Sequence, residues 1–348
     1  MSMGREATDC PHCGNVIDAG TERAENLRRC RGCGFIFPAK SEYSECVIDR
    51  DCELIPTERY RMIAPLSTRG SGRVYLARHL VLDEPCVIKV LSTIDPGYSE
   101  TACRRFMDEA KAGFRIQHPN VARVLDCDHV GDEWYFVMEY VDGVNLDDIV
   151  RSCRRMPWPQ VARIGVQTAE GLTAIHEANL LHRDIKPSNL ILCPDGSVRI
   201  ADLGLVEILH GGQRETGAAG VLGCGTPPYM PPEQRGGSGD LDERADIYAL
   251  GATLYHLLTG QPPDRGRGPL GYLTGGDERA PLRWGSNIVP PIPVWLRQAI
   301  EKCVSPNREQ RYASAASLGA DLTDWLSRSE SPAERREVPG IGTPRGVV

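Results

Sequence analysis

Residues able to support phosphoryl transfer are concentrated in one stretch of the chain. It reads His-Arg-Asp-Ile-Lys-Pro-Ser-Asn over His182–Asn189, and the triplet Asp-Leu-Gly follows at Asp202. Phosphoryl transfer needs little covalent chemistry from a protein, because its rate depends on positioning and on electrostatic stabilisation. Asp184 would accept or orient the proton of the attacking hydroxyl, and Lys186 would neutralise charge developing on the γ-phosphate. Asn189 and Asp202 offer the hard oxygen ligands that suit Mg²⁺ or Mn²⁺. The stretch therefore predicts phosphoryl-transfer machinery.

A lysine and a glutamate nearer the N-terminus extend this set. Lys89 lies in Val-Ile-Lys-Val, a predicted strand from which its ammonium would bind the α- and β-phosphates of ATP. Glu109, in the following predicted helix, would hold that ammonium in place. Taken alone, both would be ordinary solvated surface charges. Their order ahead of the other motifs favours the catalytic interpretation.

The elements that must position these residues change character along the chain. The predicted strands are Arg61–Leu66, Val74–Arg78, Cys86–Leu91, Ala122–His129 and Trp134–Glu139. The predicted helices are Glu100–Ile116, Val161–Ile175, Asp246–Leu258 and Trp295–Cys303. A sheet-rich half followed by a helix-rich half predicts an α+β fold with two lobes. We expect one domain over residues 58–327, with an N-lobe at about 58–138 and a C-lobe at about 143–327.

Further motifs occur in a fixed order around the catalytic stretch. They are His118–Asn120 (His-Pro-Asn), Met138–Gly143 (Met-Glu-Tyr-Val-Asp-Gly), Gly225–Glu233 (Gly-Thr-Pro-Pro-Tyr-Met-Pro-Pro-Glu), Asp246–Tyr248 and Arg311. On these motifs the segment from about Tyr60 to Leu326 resembles the eukaryotic-like, or Hanks-type, Ser/Thr protein kinases that are common in bacteria. The resemblance implies a bilobal protein kinase fold, the cofactors ATP and Mg²⁺ or Mn²⁺, and transfer of the γ-phosphate to Ser or Thr of protein substrates. Lys186 and Thr226 resemble the Ser/Thr-specific pair, which argues against tyrosine specificity.

The resemblance also implies roles for individual positions. The catalytic residues would be Lys89, Glu109, Asp184, Lys186 and Asn189. The ATP site would comprise Leu66, Ser67, Gly70, Gly72, Val74, Val87, Lys89, Met138, Glu139, Val141, Ile191 and Asp202. Met138 matches the gatekeeper position, and the hinge backbone would bind adenine. Glu233, Asp246 and Arg311 would be structural residues of the C-lobe, where Glu233 would pair with Arg311.

Regulation by phosphorylation is a further expectation. Arg183 precedes the catalytic aspartate, where the family usually places an arginine that binds a phosphate on the activation segment. Thr216 is the acceptor that we predict, because Thr226 is better explained by contact with the catalytic loop. A solvated loop threonine without a regulatory role is the alternative interpretation of Thr216.

Two departures from the family pattern bear on ATP affinity. The lid reads Leu-Ser-Thr-Arg-Gly-Ser-Gly-Arg-Val over Leu66–Val74, so that two of the three signature glycines are replaced. Val87 stands where alanine is usual above adenine. Added Cβ atoms and methyl groups predict weaker ATP binding rather than lost chemistry.

The alternative is a weakly active or inactive pseudokinase scaffold, against which the intact catalytic set argues.

Four cysteines near the N-terminus predict a metal site within a small module at residues 1–40. Cys10 and Cys13 form one C-x₂-C pair, and Cys30 and Cys33 form a second after a spacer of sixteen residues. This spacing is typical of four-thiolate Zn²⁺ sites, and the module resembles a zinc ribbon. So short a segment has almost no core of its own, so zinc would fold it. Disulfide bonding is the alternative, and His12 is interpreted as a bystander.

The sequence does not identify what the cysteine module binds. Several arginines of this segment form a small basic cluster, but acidic residues nearby nearly cancel it. A structural or protein-docking role is therefore favoured over nucleic-acid contact, which stays open.

Composition sets wider limits on function and location. The chain has 348 residues and a formal net charge of −7, which leaves no global basic surface for nucleic acid. Most of its 13 cysteines are scattered singly, which favours a reducing compartment, and we expect a cytoplasmic protein. No signal peptide and no membrane-spanning run is predicted. Residues 41–57 are expected to be a linker and residues 328–348 a disordered tail.

Overall fold

The structure, a computed structural model, describes the greater part of the chain. The described residues are 8–10, 13, 16–17, 27–30, 33–38, 59–67, 72–91, 111, 113–131, 133–202, 207–208, 226–235, 241–263, 280–285, 288 and 290–329. Glu109, Gly70 and Thr216 lie outside these ranges, as do the expected linker and all but the first residues of the expected tail. The interpretations given to them therefore stay predictions.

Two short antiparallel hairpins precede the large domain. They are formed by β1 (Thr8–Asp9) with β2 (Val16–Ile17) and by β3 (Leu27–Arg29) with β4 (Ile36–Pro38). The turn of the second hairpin closes where the amide of Cys30 donates to the carbonyl of Phe35 and the amide of Gly34 donates to the carbonyl of Cys30, both at 2.9 Å. Gly34 has a φ of +76°, a left-handed conformation that glycine adopts without the steric cost of a Cβ.

A five-stranded antiparallel sheet follows and forms the N-lobe. Its strands are β5 (Tyr60–Ser67), β6 (Gly72–His79), β7 (Pro85–Leu91), β8 (Val124–Val130) and β9 (Glu133–Glu139), in the order β5-β6-β7-β9-β8. Successive side chains of a strand point to opposite faces. In β7, Ile88 and Val90 accordingly pack in a buried cluster with Tyr135 and Val137 of the neighbouring β9.

The C-lobe is mostly helical around one large apolar core. Its helices are α1 (Leu146–Cys153), α2 (Trp158–Glu177), α3 (Pro232–Arg235), α4 (Arg244–Thr259), α5 (Val294–Cys303) and α6 (Ala315–Ser329). Its short strands are β10 (Val144–Asn145), β11 (Leu180–Leu181), β12 (Leu190–Leu192), β13 (Val198–Ile200) and β14 (Glu207–Ile208). Helix α4 is buried from Ala245 to Leu258, which explains its continuous rather than one-sided apolar pattern.

The predicted α+β class is confirmed, and the predicted strands and helices other than Glu100–Ile116 recur with small shifts at their ends. The fourth predicted strand begins later than expected, at Val124, because the amide of Ala122 donates to the carbonyl of Ile200 and Val121 forms an isolated bridge there. Of the predicted helix Glu100–Ile116, only positions 111 and 113–115 are described as helical. Among the helices that the structure describes, none combines the length and the apolarity needed to cross a bilayer.

Candidate active site and metal centre

One buried carboxylate holds the backbone of the catalytic stretch. Asp246, in the first turn of α4, accepts hydrogen bonds from the amides of His182 at 2.9 Å and Arg183 at 2.7 Å. It also lies 2.9 Å from Nε2 of His176 on α2. Burial alone would raise the pKa of Asp246, but the hydrogen bonds from His176 and from the loop lower it below its ordinary value. Asp246 is therefore an ionised anchor for the loop.

Two residues of the candidate site have left-handed backbone conformations. Arg183 has a φ of 64° and Asp202 a φ of 61°. Such conformations in residues other than glycine cost on the order of 1–3 kcal/mol and concentrate at functional sites. For Arg183, the strained turn is held by the bonds to Asp246 and by Gln234, whose side-chain amide donates to its carbonyl at 3.3 Å.

Asp184 is the centre of a hydrogen-bonded group. Lys186 Nζ donates to its Oδ2 at 2.6 Å, and the Thr226 hydroxyl donates to its Oδ1 at 3.0 Å. Lys186 also donates to Thr226 at 2.9 Å, so that the three side chains form a closed triangle. Asp184 is only 7% exposed. The structure thus brings together the predicted base, the predicted phosphate-binding lysine and the threonine expected to contact the catalytic loop.

The two predicted metal ligands flank one hairpin. Asn189 precedes β12 and Asp202 follows β13, and the pairing of Leu190 with Ile200 places both at the same end of these strands. The amide of Ala201 donates to the carbonyl of Asn189 at 2.8 Å, which ties the flanks together. The side-chain nitrogen of Asn189 donates to the Asp184 carbonyl oxygen at 2.8 Å and to Oδ2 at 3.1 Å. Its amide oxygen is therefore the atom that a cation would take, and this donor set of hard oxygens fits Mg²⁺.

Lys89 forms an ion pair that sequence reasoning did not predict. Its Nζ lies 2.5 Å from Oδ1 of Asp202, and the lysine side chain is 4% exposed. A buried ammonium requires a compensating anion, and Asp202 supplies one across 113 residues of sequence. The predicted partner Glu109 lies outside the described residues, so its role stays a prediction.

Several of the predicted ATP-site residues lie on neighbouring strands of the N-lobe sheet. Val87 pairs with Met138 between β7 and β9, and Glu139 binds Arg199 of β13 at 2.9 Å. After the hinge, Gly143 approaches the β12 strand so closely that a Cβ would lie 2.5 Å from the Leu192 carbonyl oxygen. Glycine is needed there for the chain to pass. In β12, Ile191 is half-buried, as is Val141 in the hinge.

The lid is described only at its two strands. β5 ends at Ser67 after Leu66, which is 53% exposed, and β6 begins at Gly72 and continues through Val74. Ser67 pairs with Val74 in the antiparallel register. The predicted contacts of this segment with phosphate stay predictions.

A buried ion pair joins α3 to the segment that precedes α6 in the C-lobe. The Arg311 guanidinium forks onto Glu233 at 2.6 and 2.9 Å, which is the pairing expected from the resemblance. It also donates to the carbonyls of Ser305 at 2.8 Å and Arg244 at 2.9 Å. Its side chain is 0% exposed.

The four N-terminal cysteines converge on one point. Their sulfur atoms all lie within 4.8 Å of one another, with Cys10 and Cys33 at 3.6 Å and Cys13 and Cys30 at 3.5 Å. Zn–S bonds of about 2.3 Å in a tetrahedron would place sulfurs about 3.8 Å apart, so the cluster fits zinc. Disulfide bonds are shorter, at about 2.05 Å. Burial raises the pKa of the Cys33 thiol, so a bound cation would have to displace protons.

Three side chains that hold the site were not predicted. His176 and Gln234 contact the anchors described above, and buried Asn120 donates to the Val198 carbonyl at 2.8 Å. For His176 the signal available in the sequence was a polar residue near the end of an otherwise apolar helical pattern, whereas Gln234 stands among polar residues and gave no such signal. Such a residue has its hydrogen bonds satisfied when buried, but the sequence does not say by which partner.

Comparisons with known proteins agree with this geometry. A family model described as "Protein kinase domain" matches residues 63–321. "Serine/threonine-protein kinase PknB" of Mycobacterium leprae is 33% identical over 270 residues, covering 76% of this chain and 43% of that protein. "Serine/threonine-protein kinase pkn3" of Myxococcus xanthus is 36% identical over 297 residues, covering 80% of this chain and 52% of that protein. The chain thus spans about half the length of the curated relatives it matches.

Proposed function

The chain belongs to the protein kinase family, and from this premise we propose that it transfers the γ-phosphate of ATP to Ser and Thr hydroxyls of protein substrates. The observation that supports this most directly is the group in which Asp184 is joined to Lys186, Thr226 and Asn189. Phosphoryl transfer uses a carboxylate to orient the attacking hydroxyl, an ammonium to stabilise the developing charge and oxygen ligands to hold Mg²⁺, and this group supplies candidates for all three. The names of the relatives, all Ser/Thr protein kinases, support the same activity.

Each residue of the group has a defined part in the proposed reaction. Asp184 orients the substrate hydroxyl and accepts its proton while the hydroxyl oxygen bonds to the γ-phosphorus, the bond from that phosphorus to the bridging oxygen of ADP breaks, and ADP leaves. Lys186 stabilises the negative charge on the transferred phosphoryl group, and Thr226 fixes the positions of both. Asn189 and Asp202 would hold Mg²⁺, which would neutralise charge on the phosphates. No covalent intermediate on the protein is needed.

Lys89 has a different role on the nucleotide side. Its side chain is buried and its ammonium is paired with Asp202. The residue predicted to bind the phosphates is therefore held beside a residue predicted to bind the metal. We propose that bound ATP takes over part of this charge through its α- and β-phosphates. Glu109 is the residue that we propose holds Lys89 in that state.

The alternative of a pseudokinase scaffold rests on the altered lid alone. An assay with radiolabelled ATP and the full chain distinguishes a kinase from a scaffold. It measures phosphate transfer to the chain itself and to a generic basic protein, and ATP binding is measured on the same samples. A kinase transfers label and binds Mg-ATP. Binding of nucleotide without any transfer, in the presence of Mg²⁺ or Mn²⁺, would favour the scaffold.

Substitution of Val87 by alanine is expected to tighten Mg-ATP binding by about tenfold. Val87 lies on the same face of β7 as Lys89, because successive side chains alternate, so its two extra methyl groups narrow the proposed adenine slot. One or two methyl groups in an apolar pocket change binding by about this factor. Titration of Mg-ATP followed by intrinsic fluorescence gives the dissociation constants.

The control for this experiment is Val90→Ala in the same strand. Val90 faces the buried N-lobe cluster, so its truncation is expected to lower stability without tightening ATP binding. Equal affinity of wild type and Val87→Ala would show that the valine does not limit nucleotide binding.

We also propose that phosphorylation of the activation segment controls activity. Arg183 precedes Asp184, and its backbone is fixed by Asp246 and Gln234. An arginine held in this way can receive a phosphate from a nearby segment. Thr216 is the proposed acceptor.

For the N-terminal module we propose a structural Zn²⁺ site formed by Cys10, Cys13, Cys30 and Cys33. The convergence of the four sulfurs supports it. When bound, zinc supplies a fixed tetrahedral centre and no catalytic chemistry, because four thiolates leave no open position.

Cys30→Ser is expected to abolish stoichiometric zinc binding by the purified chain. Loss of a ligand removes a Zn–S bond, which should cost more than the factor of about 10–100 typical of a lost outer-shell contact. Zinc content and the absorption of the Co²⁺-substituted protein measure the effect. The matched control is Cys127→Ser, because Cys127 is a half-buried cysteine in β8 outside the cluster. Full zinc content in Cys30→Ser, or disulfides in the wild type, would contradict the proposal.

A further inference from the structure

The β3–β4 hairpin lies between the cysteine cluster and the kinase C-lobe. On one side of the hairpin, Phe35 and Phe37 pack with Cys10 and Cys30 in a small buried cluster. On the other side, Ile36, which is fully buried, belongs to the same apolar core as the C-lobe helices. This division follows from strand alternation, because neighbours in a strand point to opposite faces. The hairpin is therefore an intermediate layer with the thiols on one face and the kinase on the other.

A specific polar contact fixes the hairpin to the C-lobe. The amide of Ile36 donates to Oε1 of Gln160 at 2.9 Å, and Nε2 of Gln160 donates to the Ile36 carbonyl at 2.5 Å. Gln160 lies in the first turns of α2 and is 3% exposed. Its side-chain amide therefore pairs with a residue of β4 as a neighbouring strand would. A buried glutamine is costly without such partners, which makes this contact specific for the docked hairpin.

The same helix also holds the hairpin that carries the proposed metal ligands. Two turns after Gln160, Gln167 accepts the amide of Val198 at 2.8 Å and donates to the carbonyl of Gly196 at 3.2 Å. Gln160 and Gln167 lie together along one cleft of about 580 Å³, which is also lined by Phe35 and Phe37. Helix α2 thus contacts the cysteine module through Gln160 and the β12–β13 turn through Gln167.

The cysteine module is too small to hold this docked form without its metal. Its described strands are two or three residues long, and isolated two-stranded hairpins are marginal in water. The free energy of metal binding stabilises the folded form of such a segment, because the site does not exist in the unfolded chain. The apolar face that Ile36 presents to the C-lobe therefore depends on the thiolate site behind it.

We propose that metal loading of the four-cysteine cluster locks the β3–β4 hairpin onto the C-lobe through Gln160, so that the metal state of the module sets the stability of the kinase lobe. This inference rests on the proposed zinc site. The module is then a metal-dependent clamp on its own kinase domain. Its docked face is occupied by the C-lobe and is not available to another protein.

The test uses the full chain and compares thermal unfolding with zinc and after removal of zinc by a chelator. Four of the five tryptophans, Trp158, Trp284, Trp295 and Trp325, lie in the C-lobe, so intrinsic fluorescence follows the unfolding of that lobe. We expect zinc in excess to raise the unfolding midpoint of the wild type by roughly 5–10 °C. Zinc content is measured on the same samples.

The decisive variant is Gln160→Met, which keeps the length of the side chain and removes both hydrogen-bonding groups. It is expected to lose more than half of the zinc-induced rise. Because linkage is reciprocal, it should also bind zinc about tenfold more weakly, so that failure of the hairpin to dock is itself measured. The control Gln298→Met, on the exposed side of α5, is expected to behave as wild type.

Each outcome decides between the proposals. Bound zinc without a change in the C-lobe midpoint overturns the clamp and leaves the zinc site intact. Gln160→Met with wild-type zinc affinity and a wild-type rise also overturns it. Absence of zinc from every sample overturns the zinc site and the clamp together, whereas the phosphate-transfer assay tests the kinase activity separately.

Discussion

Replacement of Asp184 by asparagine is expected to lower the rate of phosphate transfer about a thousandfold, with the fold and ATP binding retained. General acid–base catalysis by a positioned side chain contributes a factor of about 10²–10⁴. Asparagine has nearly the shape of aspartate but cannot accept a proton. The amide nitrogen that replaces one carboxylate oxygen cannot accept a hydrogen bond, so either Lys186 or Thr226 would lose its present acceptor atom. Initial rates with radiolabelled ATP measure the effect.

The control is Asp324→Asn, which makes the same chemical change on the exposed surface of α6. Among the described residues, the side chain of Asp324 pairs only with Arg328 at the surface, so the rate should not change. Thermal unfolding of both variants separates lost chemistry from lost structure. Equal phosphate incorporation by Asp184→Asn and wild type would mean that the kinase assignment of this loop is wrong.

Replacement of Arg311 by methionine is expected to lower the free energy of unfolding by about 3–5 kcal/mol. This is the usual cost of removing one partner from a buried ion pair, because the other charge is left uncompensated. Here Glu233, whose side chain is 16% exposed, would lose both bonds of the fork, at 2.6 and 2.9 Å. The carbonyls of Ser305 and Arg244 would lose a donor as well. Denaturant-induced equilibrium unfolding measures the change.

A double-mutant cycle separates the pair from its surroundings. Glu233→Gln keeps the shape of the side chain and removes its charge, and combining it with Arg311→Met should cost less than the sum of the two single changes. Arg328→Met, at an exposed arginine, is the matched control, with an expected effect below about 0.5 kcal/mol. A loss below about 1 kcal/mol in Arg311→Met would contradict the structural role given to this residue.

Activity should fall in Arg311→Met as well, for a reason that the structure makes visible. Glu233 lies in the first turn of α3, and its neighbour Gln234 donates to the carbonyl of Arg183 in the catalytic loop. Release of Glu233 therefore removes support from the strained residue beside Asp184. The rate loss should be smaller than in Asp184→Asn, because the chemical groups are still present.

Local patterns in the sequence were sufficient for most elements of the fold. The short apolar run Cys86–Leu91 predicted β7, and the apolar spacing over Val161–Ile175 predicted the central part of α2. Both signals are local, because a strand or helix shows its buried face in its own periodicity. The ends of elements were less certain. Strand β8 begins later than predicted, because the amide of Ala122 donates to the carbonyl of the distant residue Ile200.

The candidate site divides in the same way. Asp184, Lys186 and Asn189 come from one loop, so their proximity follows from their spacing, and the structure joins them by direct hydrogen bonds. The four cysteines were likewise predicted from two short motifs, and their sulfurs converge. In contrast, the partner of Lys89 among the described residues is Asp202, which no local pattern indicated.

The sequence by itself thus determined the chemical groups, their order and the elements that carry them. The tertiary structure alone decided which distant groups meet, as in the pair of Lys89 with Asp202 and the contact of Ile36 with Gln160, which are 113 and 124 residues apart. Periodicity shows that a face is buried but not which other surface covers it. A buried polar group must find a partner, and packing in three dimensions selects that partner.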